Sequence, residues 1–221
     1  MTRSVWKAGK VLGSFLMAGI LGVHAVPAIA GPEEDFAAAK ASYLRGDLAA
    51  AMPLMRKVAD AGNLEAQVLM ASMLDAAEYD EEALAYYRKA ADAGSLDGMY
   101  GLAGMLATGE GTPKKPAEAL AWLRKAASLG HKPSIRGMAQ AYMRGEMGIL
   151  EAQKKSADAL PWITKAADDN YIPAMQALEK GYREGEYGLA VDLAMADQIR
   201  QKILKLTGPP AKKGRRRGES K

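Results

Sequence analysis

The recurrence of one short segment constrains the fold of this chain more than any other feature. "RKVADAG" ends at Gly62 and "RKAADAG" ends at Gly94, and the related segments "RKAASLG" and "TKAADDN" end at Gly130 and Asn170. The intervals between these ends are 32, 36 and 40 residues. Periods of this length are typical of stacked supersecondary units. The chain therefore predicts an array of repeats.

A second pattern lies upstream of each segment. A small or polar residue is followed by apolar residues four and eight positions later, and a small residue comes three positions after that. The sets are Ala66-Met70-Leu74-Ala77, Gly98-Leu102-Leu106-Gly109, Ser134-Met138-Tyr142-Gly145 and Ala174-Leu178-Tyr182-Gly185, with Asp35-Ala39-Tyr43-Gly46 as a weaker first copy. These spacings place each set on one face of a helix, here named helix A. The closing Gly is a typical helix stop, because it adopts the left-handed conformation without strain.

A second helix, helix B, is predicted to follow each helix A and to end within the next recurrent segment. Its marks are Ala51-Leu54-Lys57, Ala83-Tyr86-Lys89, Ala119-Trp122-Lys125 and Ala159-Trp162-Lys165. The step from the end of helix A to the start of helix B grows from 6 to 10 to 14 residues, which absorbs the drift in period. We expect these A–B loops to lie on one edge of the array. At the C-terminal end, Ile199, Ile203 and Leu206 predict the apolar stripe of a capping helix.

The composition favours the same architecture. Aromatic residues make up 6% of the chain, and no long stretch is rich in Val, Ile and Thr. The abundant Ala, Leu, Met and Lys lose little side-chain freedom in a helix. The sequence therefore predicts an all-α fold.

One segment of the chain resembles the repeat of a known family. The segment "GLAGMLATGEGTPKKPAEALAWLRKAASLG" resembles a Sel-one-like (SLR) repeat, a relative of the tetratricopeptide repeat. The matching residues are Leu102, Ala103, Leu106, Gly109, Gly111, Ala119, Trp122, Lys125, Ala126, Ala127 and Gly130. The resemblance extends over about Glu34 to Leu206. It implies an α-solenoid of about five antiparallel helix pairs with a right-handed superhelical groove, and the role of a scaffold, adaptor or regulator.

The N-terminal 30 residues have the pattern of a secretory signal. Arg3, Lys7 and Lys10 precede an apolar run, and Ala28 and Ala30 form an A-x-A cleavage site. We expect cleavage after residue 30 and export to the bacterial periplasm, with secretion as the alternative. An uncleaved membrane anchor is the other interpretation of this segment.

The C-terminal residues 208–221 are predicted to be a disordered basic tail. Its cations are Lys212, Lys213, Arg215, Arg216, Arg217 and Lys221. The tail either stays solvated or attaches to an anionic surface. No aromatic residue separates its charges, which argues against nucleic acid. The repeat domain, 31–207, has 21 Lys and Arg against 25 Asp and Glu, a formal charge of −4.

The sequence offers no catalytic or metal-binding set. Cys is absent, and His131 is the one His after residue 30, expected as a surface turn residue without a partner. The acidic "DAAEYDEE" (75–82) lacks the ligand ladder of a calcium loop, and "GEGTPKK" (109–115) lacks the spacing of a phosphate loop. We therefore expect no cofactor, no metal and no enzyme activity. A carboxylate-dependent hydrolase is the remote alternative.

The positions of helix A outside its packing set are the predicted partner-binding residues. If the units stack as tetratricopeptide repeats do, helix A lines the concave face. Those positions include Glu65, Val68, Ser72 and Asp75 early in the array, and Tyr100, Arg136, Gln140, Arg144, Gln176, Lys180 and Arg183 later. Acids early and bases late predict a charge gradient that would orient a partner with an acidic end.

These observations support a function hypothesis. We expect a monomeric periplasmic scaffold or adaptor that binds another protein of the cell envelope through the groove. The alternative is a regulator or inhibitor of a cell-wall or polysaccharide enzyme.

Overall fold

The chain forms a linear series of antiparallel helix pairs. The computed structural model describes residues 31–208, which contain ten α-helices and one short 3-10 helix. The helices are α1 (Pro32–Leu44), α2 (Leu48–Asp60), α3 (Leu64–Ala76), α4 (Asp80–Asp92), α5 (Leu96–Thr108), α6 (Pro116–Ser128), α7 (Lys132–Arg144), α8 (Leu160–Asp168), α9 (Ile172–Glu184) and α10 (Leu193–Thr207), and the 3-10 helix is Glu151–Gln153. The odd-numbered helices are the predicted A helices and the even-numbered ones the B helices. The all-α solenoid of five pairs is confirmed.

Each helix packs mainly against its neighbours in the chain, as expected of a solenoid. Among the described helices, the second-neighbour pairs with the most contact are α3 with α5 and α7 with α9. Both are pairs of A helices. In a curved array, elements approach each other most closely on the inner side, so this contact places the A helices on the concave face.

The Ala residues of the recurrent segment set the spacing between units. Ala90 and Ala91 are fully buried where α4 meets α5. A Cβ atom at Gly98 of α5 would lie 2.7 Å from the Cβ of Ala90, so only small residues permit this approach. Gly94 ends the segment with a φ of 95°, and Asn170 ends it with a φ of 58°, both in the left-handed region.

The basic residues of the segment have two separate contacts. The Lys side chain lies over the aromatic ring three residues earlier in the same helix: Lys89 over Tyr86 at 5.0 Å, Lys125 over Trp122 at 4.8 Å and Lys165 over Trp162 at 5.2 Å. The Arg side chain links successive B helices in the pairs Arg56–Glu82 and Arg88–Glu118. The segment is therefore part of the repeat frame.

The lengthened loops contact each other along one edge, as predicted. The backbone N–H of Tyr187 donates to the carbonyl of Lys155 at 2.9 Å, which joins the loop after α9 to the loop after α7. A Cβ atom at Gly188 would lie 3.2 Å from the Cβ of Ala157 in the same contact.

Helix α10 caps the array as predicted, but one residue of its predicted apolar stripe is exposed. Ile203 is buried and Ile199 is half-buried against the last units, as predicted. Leu206 was predicted in the same stripe, but it is 50% exposed. It lies in the last turn of α10, where no later described helix covers it. Between residues 31 and 208, none of the helices combines the length and the apolar character needed to cross a bilayer.

Candidate partner-binding groove

A cavity of about 500 Å³ opens on the concave face in the middle of the array. Its walls come from the three A helices α3, α5 and α7. Tyr87 of α4 and Leu123 of α6 reach it from the B helices, and Glu146 and Met147 reach it from the loop after α7. Its volume lies in the range of pockets that hold ligands or partner side chains.

The lining of this cavity is apolar and acidic. Its apolar lining includes Val68, Leu69 and Met147, which are half-buried. The charged lining residues are Asp75, Asp97, Glu110 and Glu146, and no Lys or Arg lines the cavity in the described chain. The groove therefore carries negative charge at its centre.

The four carboxylates differ in how they are engaged. Asp97 and Glu146 have cationic or imidazole partners: His131 Nε2 lies 3.0 Å from Asp97, and Arg144 lies 3.6 Å from Glu146. Glu110 accepts a hydrogen bond of 2.8 Å from the Thr108 hydroxyl, and neither Glu110 nor Asp75 forms an ion pair with a described Lys or Arg. Burial raises the pKa of Asp75 above its ordinary value, and the negative charge of Glu110 raises it further.

Two glycines of α5 line the cavity and have different surroundings. A Cβ atom at Gly101 would lie 2.3 Å from the ring of Tyr87, so the aromatic ring occupies the place of a side chain there. Gly104, one turn further along, is exposed and lines the cavity, and a Cβ atom there would meet no atom within 4 Å. The backbone of α5 is therefore open to the groove at Gly104.

His131 lies in a contact that its sequence position did not reveal. Its Nδ1 is 2.8 Å from the Ser134 hydroxyl, its Nε2 is 3.0 Å from Asp97, and its ring meets the Tyr100 ring edge-on at 5.8 Å. The expectation of a surface turn residue without a partner is wrong, since the side chain is 11% exposed. Asp97 lies 34 residues away in the chain, so the contact depends on the stacking of α7 on α5.

An Asp, a His and a Ser in one chain of contacts raise the question of nucleophilic catalysis. A catalytic Ser must present its hydroxyl to a substrate. Ser134 is fully buried in the third position of α7, so no substrate reaches its oxygen. The His131 contacts join α5 to α7 at the edge of the cavity, and we assign them to structure.

The predicted basic residues of the later units are paired within the chain. Arg136 lies 2.5 Å and Lys132 2.6 Å from the carboxylate of Asp169, and both hold the pKa of Asp169 below its ordinary value. Arg144 is the partner of Glu146 described above.

The predicted bases of α9 are also paired with acids. Lys180 lies 3.2 Å from Glu184 and 3.1 Å from Glu186, and these carboxylates raise its pKa. Arg183 lies 2.6 Å from Asp197 and 3.2 Å from Glu179. The predicted gradient from acid to base is therefore not what the described groove presents, because acids oppose each of these bases.

The remaining predicted partner-binding residues either line the cavity or lie outside it. Val68, Ser72, Asp75, Tyr100 and Gln140 line the cavity. Glu65 lies 2.6 Å from Lys40 of α1, and Gln176 is exposed on α9. The structure brings the first group together around one opening. A binding role for any of them stays a prediction.

Sequence reasoning missed the two glutamates that follow helix A. Glu110 and Glu146 each come directly after the glycine that ends the helix, and Glu186 occupies the same place after Gly185. The recurrent Gly-Glu pair was the available signal. The left-handed glycine turns the chain back across the end of the helix, which carries the first two carboxylates to the cavity.

The comparison with known families follows the same units. The Sel1 repeat model matches residues 80–95, 96–131 and 133–171. The chain contains Sel1 repeats. The matched segments run from α4 to the end of α8, so the family match covers the centre of the helical array. Sel1 repeats generally mediate protein–protein interaction, and their fold is typically a non-enzymatic scaffold.

Three solved structures share this fold. The protective antigen c5321 of uropathogenic Escherichia coli strains, which displays an SLR fold, has a TM-score of 0.70 at 20% identity, over 79% of this chain and 38% of that chain. A Sel1 repeat protein from Oxalobacter formigenes has a TM-score of 0.62 at 23% identity, over 79% and 71% of the two chains. A putative sel1 repeat protein from Klebsiella pneumoniae subsp. pneumoniae has a TM-score of 0.52 at 18% identity, over 80% and 87%.

This chain therefore spans well under half of the length of the E. coli antigen. Sequence identities of 18–23% support similarity of the fold alone. A search of curated proteins found no match.

Proposed function

We propose that this Sel1 array is a protein-interaction scaffold or adaptor of the bacterial periplasm, which holds a segment of a cell-envelope protein in its concave groove. The observation that carries the proposal is the cavity between α3, α5 and α7, which is open, partly apolar and lined by four carboxylates, two of which, Asp75 and Glu110, have no described Lys or Arg partner. A surface of this kind is suited to a partner that supplies the missing contacts.

The exposed aromatic residue at the cavity supports this function. Tyr100 is 44% exposed although it lies on the concave face between two units. Tyr residues in such positions often contribute much of the binding energy in protein interfaces, because they offer a large rigid surface and a hydrogen-bonding group. We therefore place the centre of the partner contact at Tyr100 and the adjoining wall of α5.

A groove-filling variant tests the proposal. Gly104→Leu adds a side chain to the cavity from a position where a Cβ atom meets no described atom within 4 Å, and leucine favours the helix more than glycine does. Its matched control is Ala121→Leu, an exposed position inside α6 that does not line the cavity. Cross-linking and affinity capture with the full chain in its own cells should recover the same partner with wild type and Ala121→Leu, but not with Gly104→Leu. Equal capture by Gly104→Leu would remove the groove from the proposal.

Charge reversal of the later bases is a poorer test. Arg136→Glu would place a second carboxylate beside that of Asp169 and leave Lys132 as its one remaining described counterion. A loss of capture would then mix damage to the fold with loss of a binding group.

The proposed location depends on the N-terminal 30 residues, which lie outside the described residues. Their signal-like pattern supports export, and the experiment is cell fractionation with N-terminal sequencing. We expect the chain in the periplasmic fraction to begin at Gly31. A chain that retains residues 1–30 in the cytoplasmic fraction would contradict the proposed location and leave the groove untouched.

The basic tail also lies outside the described residues. Its cluster Lys212, Lys213, Arg215, Arg216 and Arg217 supports attachment to an anionic surface as a secondary proposal. Deletion of residues 209–221 should then release the protein from vesicles that contain anionic lipid.

A further inference from the structure

We propose that the central cavity receives a lysine or arginine side chain from the bound segment of the partner polypeptide. This inference rests on the proposed function and names the chemistry of the partner. It depends on three features of the described chain, which are the free carboxylates, the open backbone at Gly104 and the continuation of the groove beyond the cavity.

The first feature is the placement of negative charge. Asp75 belongs to the last turn of α3 and Glu110 follows α5, so the two carboxylates approach the cavity from adjacent A helices. Neither has an ion pair among the described residues, while the predicted groove bases Arg136, Arg144, Lys180 and Arg183 each have an acidic partner. A cation that enters the cavity is therefore attracted by two carboxylates that no described Lys or Arg competes for.

The second feature is the space at Gly104. Glycine inside a helix is destabilising relative to alanine, so an interior glycine indicates a requirement other than helix stability. Packing explains Gly98 and Gly101, whose Cβ atoms would clash with Ala90 and Tyr87. No described atom lies within 4 Å of a Cβ atom at Gly104, so packing does not explain that glycine. Open space against the α5 backbone is what an incoming side chain needs.

The walls suit the aliphatic part of a long basic side chain. Lys and Arg bury their methylene groups on apolar surface while their charged ends contact polar groups. Val68, Leu69 and Met147 supply apolar surface, and Tyr100 adds an exposed ring. A carboxylate or a short polar side chain would use neither the apolar walls nor the negative charge.

The third feature identifies the ligand as a polypeptide segment. A second depression, also of about 500 Å³, lies towards the start of α3 and shares Val68, Leu69 and Asp97 with the central cavity. The groove therefore continues past the site of the cation, between α3 and the start of α5. A segment of extended chain fills such a groove, whereas a small free cation would occupy one end of it.

Selection of peptides tests the inference with defined probes. Random dodecapeptides displayed on phage are selected on the full chain, and the selected peptides are labelled with fluorescein and titrated by anisotropy. We expect lysine or arginine at one fixed position of the selected consensus. Exchange of that residue for glutamine in the peptide, or the double variant Asp75→Asn/Glu110→Gln in the protein, should weaken binding by about tenfold or more.

The variants separate the inference from the proposed function. If the selected peptides lose binding to Gly104→Leu but share no Lys or Arg at a fixed position, the inference of a bound cation is wrong. The proposed binding of a partner in the groove would still stand. Peptides that bind Gly104→Leu and Ala121→Leu equally, or a failure to select any peptide, would overturn both. Circular dichroism of each variant confirms that the helices are intact.

The tail of the chain itself is the alternative occupant. The same titration with a chain that ends at Gly208 tests it. Unchanged peptide affinity supports a partner polypeptide. A gain of about tenfold would overturn that choice, because residues 209–221 would then compete for the cavity.

Discussion

Two glutamates at the same position of the repeat have opposite surroundings. Glu110, after α5, lies at the open cavity and is bonded to the Thr108 hydroxyl. Glu186, after α9, is 13% exposed and lies 2.5 Å from Lys155 and 3.1 Å from Lys180. The repeat frame fixes where the carboxylate is placed. Residues outside the frame decide whether it is available to a partner.

The length of the A–B loop explains this difference. Lys155 belongs to the longest loop, between α7 and α8, which crosses to the next unit and neutralises Glu186. The loop between α5 and α6 is shorter, and its Lys114 and Lys115 do not line the cavity. The longest loop therefore supplies Glu186 with a cation, whereas Glu110 has no described Lys or Arg partner.

The largest loss of stability should come from a change at Tyr87, which lies beneath the central cavity. Tyr87 is 8% exposed, and its ring fills the space beside Gly101. Tyr87→Ala should lower the free energy of unfolding by about 3 kcal/mol, because it leaves a void beneath the groove. The midpoint of urea denaturation measures the change.

Tyr100→Ala is the control for that variant. Tyr100 is exposed at the same cavity, so its removal should change the free energy of unfolding by less than about 0.5 kcal/mol. Equal losses of stability in the two variants would show that both rings support the fold.

Two glycines of α5 should give effects of opposite sign. Gly101→Ala forces a methyl group into the ring of Tyr87 and should destabilise the protein by about 1–3 kcal/mol. Gly104→Ala adds a methyl group to open space and should stabilise it by up to about 1 kcal/mol. Both changes can be read from thermal unfolding. A loss of stability in Gly104→Ala would mean that the groove is not open at this position.

Removal of Lys155 from the long loop should change the titration of Glu186. Lys155 is the main cause of the lowered pKa of Glu186, so Lys155→Ala should raise the pKa of Glu186 towards its ordinary value. A pKa lowered in the folded state stabilises above the unfolded pKa, and that contribution is lost as the pH falls through the folded pKa. Wild type should therefore exceed Lys155→Ala in stability by less than about 1 kcal/mol at neutral pH, since Lys155 is exposed.

The difference between wild type and Lys155→Ala should disappear once Glu186 is protonated. NMR titration of the Glu186 carboxyl carbon follows the pKa directly. An unchanged titration of Glu186 in the variant would show that Lys180 alone accounts for its pKa.

The smallest effect is expected at Asp75, and it has the opposite sign. Burial raises the pKa of Asp75, so its ionised form disfavours the folded state above that pKa. Asp75→Asn should raise the melting temperature slightly at neutral pH, and the gain should vanish in acid, where the wild-type carboxyl is also protonated. A gain that persists at low pH would assign the effect to the amide and not to the charge.

The sequence could predict the frame because the frame is periodic. The helix pairs, the left-handed stops at Gly94 and Asn170, and the loops on one edge all follow from local spacing and backbone preference. Leu206 departs from the prediction because spacing does not reveal whether a later element covers the last turn of a helix.

The candidate site was only partly predictable. The face of helix A that contains Val68, Ser72 and Tyr100 follows from the packing set opposite it, and these residues do line the cavity. The contacts of His131 with Asp97, and of Arg136 with Asp169, join residues 34 and 33 positions apart. Nothing in the local pattern of the sequence specifies such pairs.

Sequence by itself determined the repeat, the helix pairs and the side of each helix that packs, since these depend on the spacing of small and apolar residues within one unit. Tertiary structure decided which charges remain available. Stacking brings side chains of neighbouring units within a few ångströms, and the electrostatic interaction between them depends on that distance. It pairs the predicted groove bases of the later units, such as Arg136 and Lys180, and leaves Asp75 and Glu110 facing an open cavity.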